Sequence, residues 1–193
     1  MQIKRVRDDI FSLQVGAIVN PANERLFEGG GLCGAIFGQV RLDGGEEGHR
    51  RLTEACRTIG RCPTGRAVIT PSFGLRAPHI IHAVGPVWEG RRPLPVGATL
   101  TNVESGCLRQ LESVYCNILR LCEAEGIKSV AIPGISTGIF RFPKDLAAAV
   151  AVAVCQSHDI DMTVNLVAYD DESFKYLLAA PSAAVVDLVR STC

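Results

Sequence analysis

Long apolar runs are missing from this chain, and none approaches the roughly 20 residues that a membrane-spanning helix needs. The opening stretch MQIKRVRDDIF also lacks the apolar core of a secretion signal. A reducing compartment is therefore expected: the cytoplasm, with the nucleus left open. An excess of charge is missing too. Lys plus Arg and Asp plus Glu stand at 20 each, so there is no general attraction to nucleic acid. The basic pairs Arg50–Arg51 and Arg91–Arg92 read as solvated surface. Among the cysteines there is no CxxC pair and no Cys/His spacing of the zinc-finger kind, which speaks against a structural metal. Cys107, Cys116, Cys122 and Cys155 fall in apolar helical segments and read as small hydrophobes, not disulfide partners. Two nucleotide signatures are absent as well. No Gly-Lys-Ser/Thr follows a glycine run, and GxGxxG does not occur in its proper place.

What is there is an alternation of strand-like and helix-like segments over 193 residues, a length that suits one domain. QIKRV (2–6), GAIVN (16–20), RAVITPS, HIIHAVG, KSVAIPGI and TVNLVAY read as strands. Residues 31–40 and 46–58 read as two helices, the second amphipathic with Leu52, Ala55 and Cys56 on one side. Leu108, Leu111, Tyr115, Ile118, Leu119 and Cys122 recur at helical spacing, and Gly126 is placed to end that helix. Pro143 can open the next helix. DDESFKYLLAA carries acidic residues where a helix dipole favours them, and Pro181 is placed to start a last helix. Residues 90–104 read as a loop long enough to form a rim or lid. The alternation predicts a layered α/β domain.

In such domains ligands bind beyond the carboxyl ends of the strands. Two strand ends here are rich in glycine: Gly29-Gly30-Gly31 leading into a helix, and PGISTGIF at 133–140. Glycine lets backbone amides approach a ligand, and amides at a helix start or in a tight loop favour an anion. Two such loops facing each other suit a diphosphate. His82, in the middle of an apolar strand, reads as a satisfied core residue. Cys33 sits at a helix start, which can lower a thiol's pKa, but no activating His or Asn accompanies it in the motif, so it reads as a small loop residue.

The blocks DDI, AIVNPAN, EGGGLCGAI, CPTGRAVIT, IIHAVGPVW, AIPGISTGIF and VAYDDESF resemble, in this order, the signature blocks of macrodomains, over roughly residues 5–180. The likeness is greatest to the MacroD-type and bacterial O-acetyl-ADP-ribose deacetylase branch. It implies a three-layer α/β/α fold with a mixed central sheet and an ADP-ribose cleft between the two glycine loops. It also implies a monomer acting without cofactor or metal. Its partners would be ADP-ribose and mono-ADP-ribosylated proteins. By the same resemblance, Asp9 would accept from the adenine amino group and Ile10 would wall the adenine pocket. Asn23 would bind the distal ribose, while Asn20 braces the loop from behind. Gly30, Gly31, Leu32, Cys33 and Gly34 would form the first ligand loop. Ser136, Thr137, Gly138, Ile139 and Phe140 would form the second, with Phe140 beside the distal ribose. Tyr169 is expected near the adenine. Asn23, Gly31, Cys33 and Phe140 would surround the reaction centre. Cys33 stands where MacroD-type hydrolases usually carry an aspartate thought to orient the attacking water. Two functions stay open: a hydrolase of ADP-ribosyl bonds to acidic side chains and of O-acetyl-ADP-ribose, and a reader that binds such groups without cleaving them.

Overall fold

In the computed structural model, residues 1–91 and 99–180 are described. Six strands form one sheet: β1 (Gln2–Arg7), β2 (Ala17–Pro21), β3 (Ala67–Pro71), β4 (His79–Ala83), β5 (Ser129–Pro133) and β6 (Thr163–Ala168). Their order across the sheet is β1-β6-β5-β2-β4-β3. All neighbours run parallel except the edge strand β3, which pairs antiparallel with β4. The sheet is therefore mixed, as the sequence led us to expect.

The period-two alternation of each strand splits its side chains between two cores. Ala17, Val19, Ile81, Val130, Ile132, Val164 and Leu166 face one side, with α2 (Asn102–Ala124), α3 (Lys144–Ser157) and Leu177 of α4 (Asp171–Ala179). Ile18, Ile80, Ala131 and Val167 face the other, against Ile36, Phe37, Val40 and Leu52 of α1 (Gly31–Ile59). Helices thus cover both faces, which makes three layers.

The two helices expected at 31–40 and 46–58 form a single element interrupted at Gly45, whose φ of 70° and ψ of −174° are not helical. A Cβ at the neighbouring Gly44 or Gly48 would overlap the Phe73 carbonyl, so the β3–β4 connection lies directly on the helix backbone. The helix expected from Pro181 lies outside the described residues.

Three expectations need correction. The loop read over 90–104 ends sooner, because Thr101 and Glu104 form a reciprocal capping box that starts α2 at Asn102. Arg91 is exposed, as read, but it is not a lone solvated charge: its guanidinium donates to the fully buried Glu104 carboxylate at 2.7 and 2.9 Å. That pairing, with N–H groups from Thr101 and Arg91 itself, holds the carboxyl well below the usual carboxylate range. Cys116 is disulfide-bonded, whereas Cys33, Cys56, Cys62, Cys107, Cys122 and Cys155 are free. Cysteine spacing along a sequence does not reveal which thiols pair.

Candidate functional site

The carboxyl ends of β2, β4, β5 and β6 open onto one cleft of about 330 Å³. After β2 the chain turns through Asn23, whose side chain organises the first loop. Asn23 Nδ2 donates to the Phe27 carbonyl at 2.8 Å, and Oδ1 accepts from the N–H groups of Arg25 and Phe27 at 3.1 and 3.3 Å. The loop then enters α1 through Gly30, and no side chain caps that helix. By contrast, Thr101 caps α2 and Asp170 caps α4. The leading N–H groups of α1, which have no intrahelical partner, therefore sit at the cleft with Gly30, Gly31, Leu32 and Cys33 in its lining.

The second loop leaves β5 at Pro133. Ser136 (φ 65°) and Arg141 (φ 57°) both adopt the left-handed region that non-glycine residues seldom occupy. Hydrogen bonds from Arg141 N–H to the Gly138 carbonyl and from Phe142 N–H to the Ser136 carbonyl, both 2.9 Å, fix the turn. This loop feeds α3, which also starts without a side-chain cap. Ser136, Thr137, Gly138, Ile139 and Phe140 all line the cleft. Ile139 is 70% exposed, and its Cδ1 would lie 3.2 Å from a Cβ placed on Gly30, so the loops meet across the mouth. At the far end stand Tyr169, 86% exposed, and Asp170. Asp170 is the sole carboxylate among the described lining residues, and it is already engaged by Ser173 N–H and Lys144 Nζ.

Cys33 is buried, and burial pushes its thiol up, against smaller opposing effects of the Gly29 backbone and the Asn20 amide. Its Sγ lies 3.8 Å from the Phe27 carbonyl, to which the thiol donates. A neutral, buried thiol is a poor nucleophile, since the thiolate is the reactive form.

A family model described as "Macro domain" matches residues 19–151 of this chain. The chain belongs to the macro domain family. Among curated relatives, an "O-acetyl-ADP-ribose deacetylase" from Enterobacter sp. is 39% identical over 180 residues, covering 89% of each chain. A macro domain-containing protein from Methanosarcina mazei is 40% identical, covering 94% of this chain and 90% of its own. Among solved structures, the Oceanobacillus iheyensis macrodomain with ADP superposes with a TM-score of 0.75 at 28% identity, covering 92% of this chain and 88% of that one. The Trypanosoma brucei macrodomain in complex with ADP-ribose gives 0.71 at 29% identity, covering 91% and 67%.

Within this macro domain, four residues named from the sequence lie off the cleft lining. Asn20 is buried behind the first loop, where its Nδ2 donates to His82 Nδ1 at 3.1 Å. The acceptor role fixes the ring as the Nε2–H tautomer, which faces Thr70 Oγ1 at 2.9 Å. Burial lowers the His82 pKa to about 4, so the ring is neutral at neutral pH. Gly34 is needed for space, because a Cβ there would overlap the Gly29 carbonyl. Asp9 and Ile10 line a separate cavity with Gln39, Asp43 and Arg76. The Asp9 carboxylate accepts from Phe11 N–H at 3.0 Å and so caps the short turn Ile10–Ser12. They stay close to the tyrosine end nonetheless, since the adjacent Asp8 N–H donates to the Ala168 carbonyl.

Several lining residues were not singled out from sequence: Gly85, Tyr115, Lys144 and Ala147. Gly85 had a usable signal, as it stands just past the carboxyl end of β4, where strand-end logic looks for ligands. Tyr115 had none, because its helical spacing reads as plain core.

Proposed function

We propose that this chain binds ADP-ribose in the cleft and hydrolyses ADP-ribosyl bonds, removing mono-ADP-ribose from acidic side chains of modified proteins and deacetylating O-acetyl-ADP-ribose. The observation that carries the reading is the convergence of two uncapped helix starts, α1 and α3, each with its loop, on one cleft. Unpaired N–H groups at two helix starts suit a diphosphate. On this reading the distal ribose is assigned to Asn23 and the adenine to the exposed ring of Tyr169, both of which line the cleft. The deacetylase name of the Enterobacter relative supports the same chemistry.

Cleavage at the anomeric carbon passes through an oxocarbenium-like state. Among the described residues lining the cleft there is no free carboxylate to act as base at the glycine-loop end, and Cys33 is a neutral thiol. The substrate's own diphosphate, held by the two loops, therefore supplies the negative charge that stabilises the transition state. The loops hold the attacking water. The buried thiol also favours the second reading, a module that binds without cleaving.

Incubation with a protein mono-ADP-ribosylated on glutamate, and separately with O-acetyl-ADP-ribose, tests the proposal, with Asn23→Ala as the control. Release of free ADP-ribose is expected. Cys33→Asp should raise the rate by about 10²-fold or more, the usual size of an acid–base contribution. Label that stays on the protein for hours at high enzyme concentration, in wild type and Cys33→Asp alike, would establish the reader.

A further inference from the structure

Gly85 has an ordinary backbone: it is not among the glycines with positive φ. Its lack of a side chain must serve space. A Cβ on Gly85 would overlap Ser136 Oγ and lie 2.7 Å from Ile135 Cγ2. Both Gly85 and Ser136 line the cleft. Ser136 is unusual on two further counts. It holds a left-handed backbone at φ 65°. Its hydroxyl is also one of only two buried side-chain polar atoms without a hydrogen-bond partner among the described residues. A buried hydroxyl left unpaired is costly, and such groups are rare away from functional sites.

The segment that follows Gly85 carries the second loop from below. Trp88 N–H donates to the Phe140 carbonyl at 2.9 Å, and the indole packs edge-on to Phe142 at 4.8 Å between centroids. The space beside the bare Cα of Gly85 is filled by the Ser136 and Ile135 side chains, so the depth of the turn 136–138 depends on it.

We propose that Gly85 is a positioning residue for the second ligand loop, acting through Ser136: its missing side chain lets Ser136 sink to the depth at which the backbone N–H groups of the loop, and the unpaired Ser136 hydroxyl, meet the anionic ligand. The proposal rests on the ADP-ribose reading above. A methyl group at Gly85 lifts the turn toward the cleft and spoils the alignment of several donors together, although it touches no ligand atom.

A double-mutant cycle on the full chain tests this, with the dissociation constant for ADP-ribose from calorimetry and the thermal midpoint measured in parallel. Gly85→Ala should weaken binding by about tenfold or more, because misplacement of a preorganised donor set is costly. Ser136→Gly removes the hydroxyl and the severest overlap, leaving the Ile135 Cγ2 contact at 2.7 Å, so Gly85→Ala should cost markedly less in that background than in the wild type. Equal penalties for Gly85→Ala in both backgrounds would overturn the proposal, because glycine would then matter for the fold and not through Ser136. So would normal binding by the single Gly85→Ala variant. If that variant fails to fold, the pair Gly85→Ala/Ser136→Gly decides: recovery of folding and of the Ser136→Gly affinity supports the coupling, and continued failure overturns it. A wild-type chain that shows no binding of ADP-ribose at millimolar concentration sinks the functional reading, and this inference with it.

Discussion

The two loops that face each other across the cleft are held by different means. The first is tied by side chains: Asn23 alone satisfies three backbone groups, and Asn20 stands behind it on a buried neutral His82. The second is held by its own backbone, with two non-glycine residues at positive φ and main-chain bonds to Gly138, Ser136 and Trp88. A loop tied by side chains is broken by deleting one. A loop tied by backbone tolerates such deletions but not a change in what its turn rests on.

Acid should separate the two most strongly. Burial lowers the His82 pKa from 6.5 to about 4. The unfolded chain therefore takes up a proton near pH 6.5 that the folded chain refuses until about pH 4. This contribution to stability is complete above the upper value and is lost as pH falls toward the lower one. Its full size is about 3 kcal/mol. Denaturant unfolding at a series of pH values should show this loss, and a His82→Gln variant should show a shallower slope. Identical slopes would mean that the support of the first loop does not titrate.

Side-chain deletion comes next. Asn23→Ala should cost about 1–3 kcal/mol of stability, since it leaves the Phe27 carbonyl and two N–H groups without their partner. The matching change in the second loop is Thr137→Val, which removes the bond from Thr137 Oγ1 to the Gly134 carbonyl at 2.8 Å. It should cost only about 0.5–1.5 kcal/mol. Equal losses by chemical unfolding would erase the contrast. The smallest effect is expected at Cys33: its buried, neutral thiol makes a long contact to Phe27, so Cys33→Ala should change ADP-ribose affinity by less than about twofold. A larger change in calorimetry would give the thiol a share in holding the ligand.

The layered architecture and the placing of both glycine loops at strand ends were legible because they rest on local signals. Short continuous apolar runs marked β2, β4 and β5, helical periodicity marked α2, and the two halves of α1 were read as separate helices. What stayed hidden depends on contacts between distant parts. The pairing of Arg91 with Glu104 places an exposed basic residue beside a fully buried carboxylate. The Gly85 signal was present, but its meaning lies in Ser136, which no window along the sequence brings near. Even the start of α2 was missed, although Thr101 and Glu104 spell a capping box, because the proline- and glycine-rich stretch before them outweighed it.

Trp88 is the one tryptophan of the chain, and its ring is held between the second loop and the Arg91 carbonyl, to which Nε1 donates at 3.2 Å. The protein thus carries a built-in optical reporter. Any shift of Phe140 or Phe142 on ligand entry must alter the surroundings of that single indole. Its emission therefore follows the backbone-held loop and is insensitive to the side-chain-held one, and titrations read at this one wavelength band watch half of the cleft without a label.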